Sequence, residues 1–257
     1  MTIGHTLVGA GRRKVLVLHG WFGDHAVFEP TFRSLDLDGF TYAFVDYRGY
    51  GKSRELEGDC TMREIAADAL ALIDELGWET FHVVGHSMGG MAMQRLMLDI
   101  DARGRVRSAI GIDPVPACGG QLEGETWDLF SGAVASDDNR YAILDFTTGN
   151  RNCARWLRGM VRRSRETTTE AAFAGYLDAW AKEDFAVEVQ EAGFATPMLV
   201  LLGEHDLAFT REAMETTYLA WYQNAELEMV ANAGHYPMQE TPVQLATRME
   251  AFLSRNA

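Results

Sequence analysis

The chain has 257 residues, 47% of them hydrophobic and 23% charged, and a formal charge of −14. That size holds one α/β domain with a sizeable core, or such a core plus an insertion, and the acidic balance argues against unspecific nucleic-acid binding, which needs a basic surface. Cys60, Cys118 and Cys153 are odd in number and widely spaced, so they suggest neither a disulfide framework nor a zinc site, and reduced thiols in a cytoplasmic compartment are the expectation.

The segment from Met1 to Arg13 lacks a charged-then-apolar signal pattern, and Val15-Leu16-Val17-Leu18 is far too short for a membrane span. No repeat or low-complexity stretch is visible. Residues 2–8 are expected to form an edge strand turned by Gly9-Ala10-Gly11, and Lys14 to Leu18 reads as a buried strand ending at His19-Gly20-Trp21-Phe22-Gly23. A helix is expected from His25 to Leu35. Phe40 to Val45 is the next strand, running into Asp46-Tyr47-Arg48-Gly49-Tyr50-Gly51-Lys52-Ser53. Thr61 is a good N-cap with Glu64 at the capping-box position, and its helix should run to about Leu76 and close at Gly77.

Phe81-His82-Val83-Val84 has strand character, and Met91 to Leu98 is an unbroken run of helix formers. Between them lies Gly85-His86-Ser87-Met88-Gly89-Gly90, which fits G-x-S-x-G at a strand-to-helix turn. Such a turn is too tight for bulky neighbours, so it needs small residues at Gly85 and Gly89. It lifts the Ser87 hydroxyl clear of the backbone above a helix N-terminus, where free N–H groups stabilise developing negative charge. Arg105 to Ile112 makes another strand, ending at Asp113-Pro114-Val115-Pro116. Strands alternating with helices mean a mostly parallel sheet covered on both faces. His19, Asp46, Ser87 and Asp113 all fall at carboxyl ends of strands, where such sheets place their sites.

From Cys118 to about Ala195 no convincing buried strand appears, while Trp127–Val134, Asn139–Phe146, Asn150–Val161 and Thr169–Ala181 look helical. This insertion is too long for a plain crossover. The expected organisation is an α/β core over residues 1–117 and 196–257, with a helical cap over 118–195. Trp127, Phe130, Phe146, Trp156, Met160, Trp180 and Phe185 are bulky candidates for the inner face of the cap. Of these Trp127, Phe130, Trp156 and Trp180, with Trp21 and Phe22 from the core, are the substrate-contact candidates. The parallel pattern resumes at Pro197 to Leu202, followed by Gly203-Glu204-His205-Asp206, a helix from about Arg211 to Trp221 and a strand from Glu226 to Val230. Asn232-Ala233-Gly234-His235-Tyr236-Pro237 comes next, then a closing helix from Pro242 to Phe252.

A serine hydroxyl needs a base within hydrogen-bond reach, and the base needs an orienting acid. His235, in a post-strand loop beside Gly234, is the candidate base. Asp206 is the candidate acid, with Asp113 as its competitor from an earlier strand end. The tetrahedral oxyanion needs donors, for which the backbone N–H groups of Met88 and Trp21 are the candidates. No metal-ligand spacing, phosphate loop or dinucleotide fingerprint is present, so no metal and no cofactor are expected. Arg151, Arg155, Arg158, Arg162 and Arg165 recur at three- or four-residue steps along one helix face. They read as a solvated face paired with acids; a homodimer contact or recognition of an anionic substrate is the alternative.

On His19-Gly20-Trp21, the Asp46 to Ser53 loop, Gly85 to Gly90, Gly203 to Asp206 and Gly234-His235, the chain resembles the α/β-hydrolase superfamily in its capped esterase-like branch. The order Ser87, Asp206, His235 is that of the superfamily. The resemblance implies an α/β-hydrolase fold, with Ser87 acylated, His235 relaying the proton and Asp206 holding His235, while the Asp46 to Ser53 loop, His19 and His86 are structural. It implies hydrolysis by water of a carboxylic ester or lactone, here of a medium-sized, largely apolar substrate. Carbon–carbon bond hydrolases and cofactor-free perhydrolases or haloperoxidases share the serine, and a non-catalytic ligand-binding protein shares the fold. Dehalogenases and epoxide hydrolases of this fold attack with aspartate where this chain has Ser87. One strand fits before Lys14, where fuller members have a hairpin.

Overall fold

A computed structural model of the chain describes residues 2–100 and 104–257. The β-branched and apolar runs become strands, and among the described residues seven of them share one sheet. In chain order they are β1 (His5–Val8), β2 (Arg13–Leu18), β3 (Phe40–Val45), β4 (Phe81–His86), β5 (Val106–Ile112), β6 (Met198–Gly203) and β7 (Ala225–Val230). In space they run β1-β3-β2-β4-β5-β6-β7. β1 pairs antiparallel with β3, and every other pairing is parallel. A parallel sheet must be covered on both faces. Accordingly β3, β4 and β6 are buried at every position.

The covering helices of the core are α1 (Met62–Glu75), α2 (Met88–Ile100), α8 (Arg211–Thr216), α9 (Tyr218–Trp221), α10 (Pro237–Glu240) and α11 (Pro242–Arg255). Thr61 caps α1 by accepting from the Glu64 amide at 3.1 Å. The Glu64 carboxylate reaches further upstream than a capping box does, to the amides of Asp59 and Cys60. α2 is buried on nearly every side. Its one amide side chain, Gln94, is satisfied by the carbonyls of Gly90 and Val115 and by the Tyr218 hydroxyl, as burial of a polar group demands.

The helix expected from His25 to Leu35 is present over His25–Ser34 in 3-10 form, since Pro30 in its middle has no N–H and its ring opposes α-helical packing. Two local expectations are corrected. The expected helix from Arg211 to Trp221 breaks at Thr217, whose φ and ψ are −117° and −90°. There the Thr217 hydroxyl folds back onto the Ala213 carbonyl, and Tyr218 is tied to Gly90 and Val115 in the core. Between β5 and β6 stand five helices rather than four: α3 (Gly124–Gly132), α4 (Asp137–Thr147), α5 (Ala154–Thr167), α6 (Glu170–Lys182) and α7 (Ala186–Ala192). The short α7 buries Ala186 and Val189 and sends Glu188 to Arg95 of α2.

Two side-chain contacts are prominent among those that tie this helical segment to the loops at the sheet ends. The Trp21 indole N–H donates to the Phe173 carbonyl at 2.7 Å, with the two rings stacked 4.0 Å apart. Arg163 of α5 grips the buried Asp24 carboxylate. Among the described residues, no helix is long and apolar enough to cross a membrane.

Candidate active site

The turn after β4 is built by steric exclusion. Ser87 sits at φ +53°, a left-handed conformation rare for a residue with a β-carbon and worth about 1 kcal/mol or more of strain. A Cβ on Gly85 would lie 2.3 Å from the Gly89 carbonyl oxygen, and one on Gly89 would lie 2.4 Å from that of Leu18. Only glycine allows the helix start to close onto the strand ends. The Ser87 backbone is pinned by its N–H to Ile112 and by its carbonyl to the amides of Gly90 and Val115. Met88 opens α2, so its N–H lacks an i−4 partner.

The loop after β2 crosses directly over this turn. A Cβ on Gly20 would stand 2.8 Å from His86 Nδ1 and 3.1 Å from Ser87 Cβ. Two buried tyrosines hold the loop from behind: Tyr47 donates to the His19 carbonyl at 2.9 Å, and Tyr50 to that of Trp21 at 3.0 Å. The loop thus brings the Trp21 backbone close to the serine.

His235 follows β7 and is buried, with Nδ1 2.6 Å from Asp206 Oδ2. The acceptor assigns the tautomer: Nδ1 carries the proton, leaving Nε2 as a base. The other oxygen of Asp206 accepts from the amides of Ala208 and Phe209, and Phe209 stacks on the imidazole at 5.3 Å. Asp113, the competing acid, is fully buried at the end of β5 and receives the Gly203 amide at 2.7 Å. The structure places Asp206, not Asp113, on His235 Nδ1.

The neighbouring histidines are framework. His86 donates from Nε2 to the His235 carbonyl at 2.8 Å, and burial, followed by the adjoining His235, holds its pKa well below the ordinary value. His19 donates from Nδ1 to the Gly20 carbonyl, and burial likewise lowers its pKa. Both are neutral struts under the two loops.

Ser87 and His235 line one cavity of about 120 Å³ with Trp21, Phe22, Phe130 and Trp180. Val115, Gly120, Leu122, Ile143, Thr147, Ala208, Phe209 and Tyr236 complete the wall. Two expected contact residues lie elsewhere. Trp127 turns away from the cavity, with the Lys182 ammonium 4.1 Å from its ring centre. Trp156 packs edge-on to Tyr236 and lines an open groove with Arg155 and Arg163. Sequence reasoning missed Phe209 and Tyr236, although each lies within three residues of Asp206 or His235, an adjacency that could have flagged them.

Among the described residues two clusters have the composition of a metal site, Asp24-His25-Asp46 and Asp113-Asp206-His235, each with ligand atoms within 4.8 Å of one another. In the first, Arg163 sits on Asp24 while the His25 ring and the amides of His25 and Lys52 fill Asp46, so the lone pairs are already committed. In the arginine stripe, Arg151 pairs with Glu240, and Arg165 with Asp137 and Glu170.

A profile of the alpha/beta hydrolase fold matches residues 14–242 of the chain. The non-heme haloperoxidase of Rhodococcus erythropolis is 28% identical over 242 residues, covering 88% of this chain and 86% of that protein. The pimeloyl-[acyl-carrier protein] methyl ester esterase of Serratia marcescens is 26% identical over 256 residues, 96% of each. The esterase EaEST of Exiguobacterium antarcticum superposes with a TM-score of 0.84 at 20% identity, over 98% of this chain and 95% of that one. With a strand–serine–helix turn, a histidine after the last strand and a profile match over most of its length, the chain belongs to the alpha/beta hydrolase fold family.

Proposed function

We propose that the protein is a serine hydrolase that cleaves a carboxylic ester or lactone through an acyl-Ser87 intermediate. The observation that carries this reading is the placement of Ser87 and His235 on one cavity, with Asp206 2.6 Å behind the histidine. His235 Nε2 takes the Ser87 proton as the hydroxyl attacks the carbonyl carbon, and the N–H groups of Met88 and Trp21 receive the oxyanion. Collapse expels the alcohol, which takes the proton from His235. Water, deprotonated by the same nitrogen, then attacks the acyl carbon; the bond to Ser87 Oγ breaks, His235 returns the proton to that oxygen, and the acid is released. The chain supplies nucleophile, base, orienting acid and oxyanion donors, so the reaction is proposed to need no metal and no organic cofactor.

The cavity sets the substrate. At about 120 Å³ it is smaller than most ligand pockets, and a cavity of about 150 Å³ holds one benzene. A medium-sized apolar substrate therefore seats one compact half against Trp21, Phe130 and Trp180, with the remainder outside. A burst of leaving group from an activated ester, one per protein and absent in Ser87→Ala, tests the reading; equal turnover by wild type and Ser87→Ala excludes it.

The likeness to a haloperoxidase over 88% of the chain supports a second reading, perhydrolysis. In it hydrogen peroxide replaces water as the nucleophile toward the acyl-serine, giving a peracid and free Ser87. Peracid formation from an ester and peroxide, faster than hydrolysis at equal nucleophile concentration, would favour it.

A further inference from the structure

We infer that Asp113 carries a proton in the folded protein and donates it in a hydrogen bond to the Asp206 carboxylate, which makes Asp113 the positioning residue behind the Asp206–His235 pair. Asp113 stands at φ +42°, a left-handed conformation that aspartate and asparagine adopt more readily than other residues with a β-carbon, and its side chain is fully buried. One oxygen, Oδ1, accepts from the Gly203 amide at 2.7 Å. The other, Oδ2, has no donor among the described residues. The side-chain ligand atoms of Asp113, Asp206 and His235 lie within 4.8 Å of one another.

Lone-pair accounting decides the protonation. An ionised carboxylate offers about four acceptor positions. Asp206 uses three, for the amides of Ala208 and Phe209 and for His235 Nδ1. An ionised Asp113 would put a second buried negative charge beside the first and leave Oδ2 empty, two penalties that compound in a low-dielectric interior. A proton on Oδ2 removes both: the charge vanishes, and the orphan oxygen becomes the donor that fills the free position on Asp206.

The surrounding charges act in the same direction. Glu240 of α10 pairs with Arg151 through Oε2 and accepts the amides of Gly234 and Tyr236 through Oε1, and its charge acts on Asp113. His235, a neighbour able to become a cation, is already held by Asp206. Burial first, then the Asp206 charge, then Glu240, push the Asp113 carboxyl well above the usual carboxylate range, against the opposing Gly203 amide. The donated bond fixes the plane of the Asp206 carboxylate and shares its charge. The proton stays on Asp113 throughout, so no bond is made or broken there.

The kinetic consequence rests on the serine-hydrolase reading, while the protonation of Asp113 does not, and the two are measured separately. Infrared difference spectra between wild type and Asp113→Asn at neutral pH should show a carboxylic acid C=O band that the variant loses and that Ser87→Ala retains. Lack of that band overturns the inference, whatever the enzyme does. In kinetics, the Asn amide can still donate to Asp206 and its oxygen can still accept from Gly203, and asparagine tolerates the left-handed backbone. Asp113→Asn should therefore keep kcat/KM within about threefold, with the acid limb of its pH profile unmoved. An ionised Asp113 predicts instead that removing its charge lowers that midpoint by about one unit or more. A loss of about a thousandfold would make Asp113 the orienting acid itself. Either result overturns the inference. Asp113→Leu, which cannot donate, should lose about tenfold in kcat and move the midpoint upward, since an unshared Asp206 charge holds the imidazolium more tightly. If that variant does not fold, the asparagine variant and its spectrum decide alone.

Discussion

Replacing Asp206 by Asn tests the orienting role through hydrogen-bond geometry. An amide can face His235 in two ways. With its NH2 toward Nδ1, two donors meet, and the imidazole keeps its contact only by moving the proton to Nε2, the nitrogen that must accept from Ser87. With its oxygen toward Nδ1, the NH2 faces the amides of Ala208 and Phe209, which now accept from Oδ1 at 2.8 and 3.3 Å; two buried donors lose their acceptor at about 1–3 kcal/mol each. The first arrangement costs less and holds the wrong tautomer. The same change in the Ser-His-Asp template lowers kcat by about 10⁴, equivalent to about 5.4 kcal/mol of barrier. We expect a loss of roughly 10³–10⁴ in kcat on an activated short-chain ester, with far-ultraviolet circular dichroism and the unfolding midpoint showing that the variant is folded. A folded Asp206→Asn within tenfold of wild type would refute the reasoning. If Asp113→Asn were the far more damaging change, the two acids would exchange roles.

Three further expectations follow from the same geometry. Phe130→Ala widens the wall opposite Trp21, whose ring stacks 5.8 Å from it, and should raise kcat/KM for hexanoate relative to acetate esters severalfold; an unchanged ratio would remove Phe130 from the acyl wall. Gly20→Ala forces a Cβ to 2.8 Å from His86 Nδ1, so kcat should fall at least tenfold on a folded protein through displacement of the oxyanion loop, and a neutral result would count against that loop's role. His82, buried against Ser108, has its pKa lowered to about 4, first by burial and then by Arg107 and Arg13. The unfolded chain binds that proton below about pH 6.5 while the native state refuses it, so stability is full above that pH and falls as pH drops toward 4. The loss is on the order of 3 kcal/mol at about 1.4 kcal/mol per pH unit. His82→Gln should reduce the slope of unfolding free energy against pH by about one proton, and an identical slope would discard the assignment.

The parts of the fold written in short-range chemistry were legible in the sequence. β3 spans Phe40–Val45, with an aromatic residue at every second position, and the need for glycine at position 85 follows from its contact with Gly89 four residues on. Elements set by distant contacts were not legible. The break at Thr217 depends on where Tyr218 finds Gly90 and Val115 in the core. The short α7 is fixed by docking against α2 rather than by its own periodicity. In the helical segment, Trp127 and Trp180 look alike as bulky apolar residues; helix docking turns Trp180 onto the cavity and leaves Trp127 under Lys182. The sequence put Asp206 ahead of Asp113 as the acid but left Asp113 open as a competitor, since both follow neighbouring strands. What separates them is the 2.6 Å contact from Asp206 to His235 and the orphaned Oδ2 of Asp113.

If Ser87 is the nucleophile, the acylated serine can be trapped. Rapid acid quench of the protein with an activated ester, followed by intact-mass measurement and peptide mapping, should give one acyl group per chain on the peptide carrying Ser87. It should form faster than turnover in the wild type and be absent from Ser87→Ala. An acyl group on any other residue, or turnover of the ester by folded Ser87→Ala at the wild-type rate, would contradict the account.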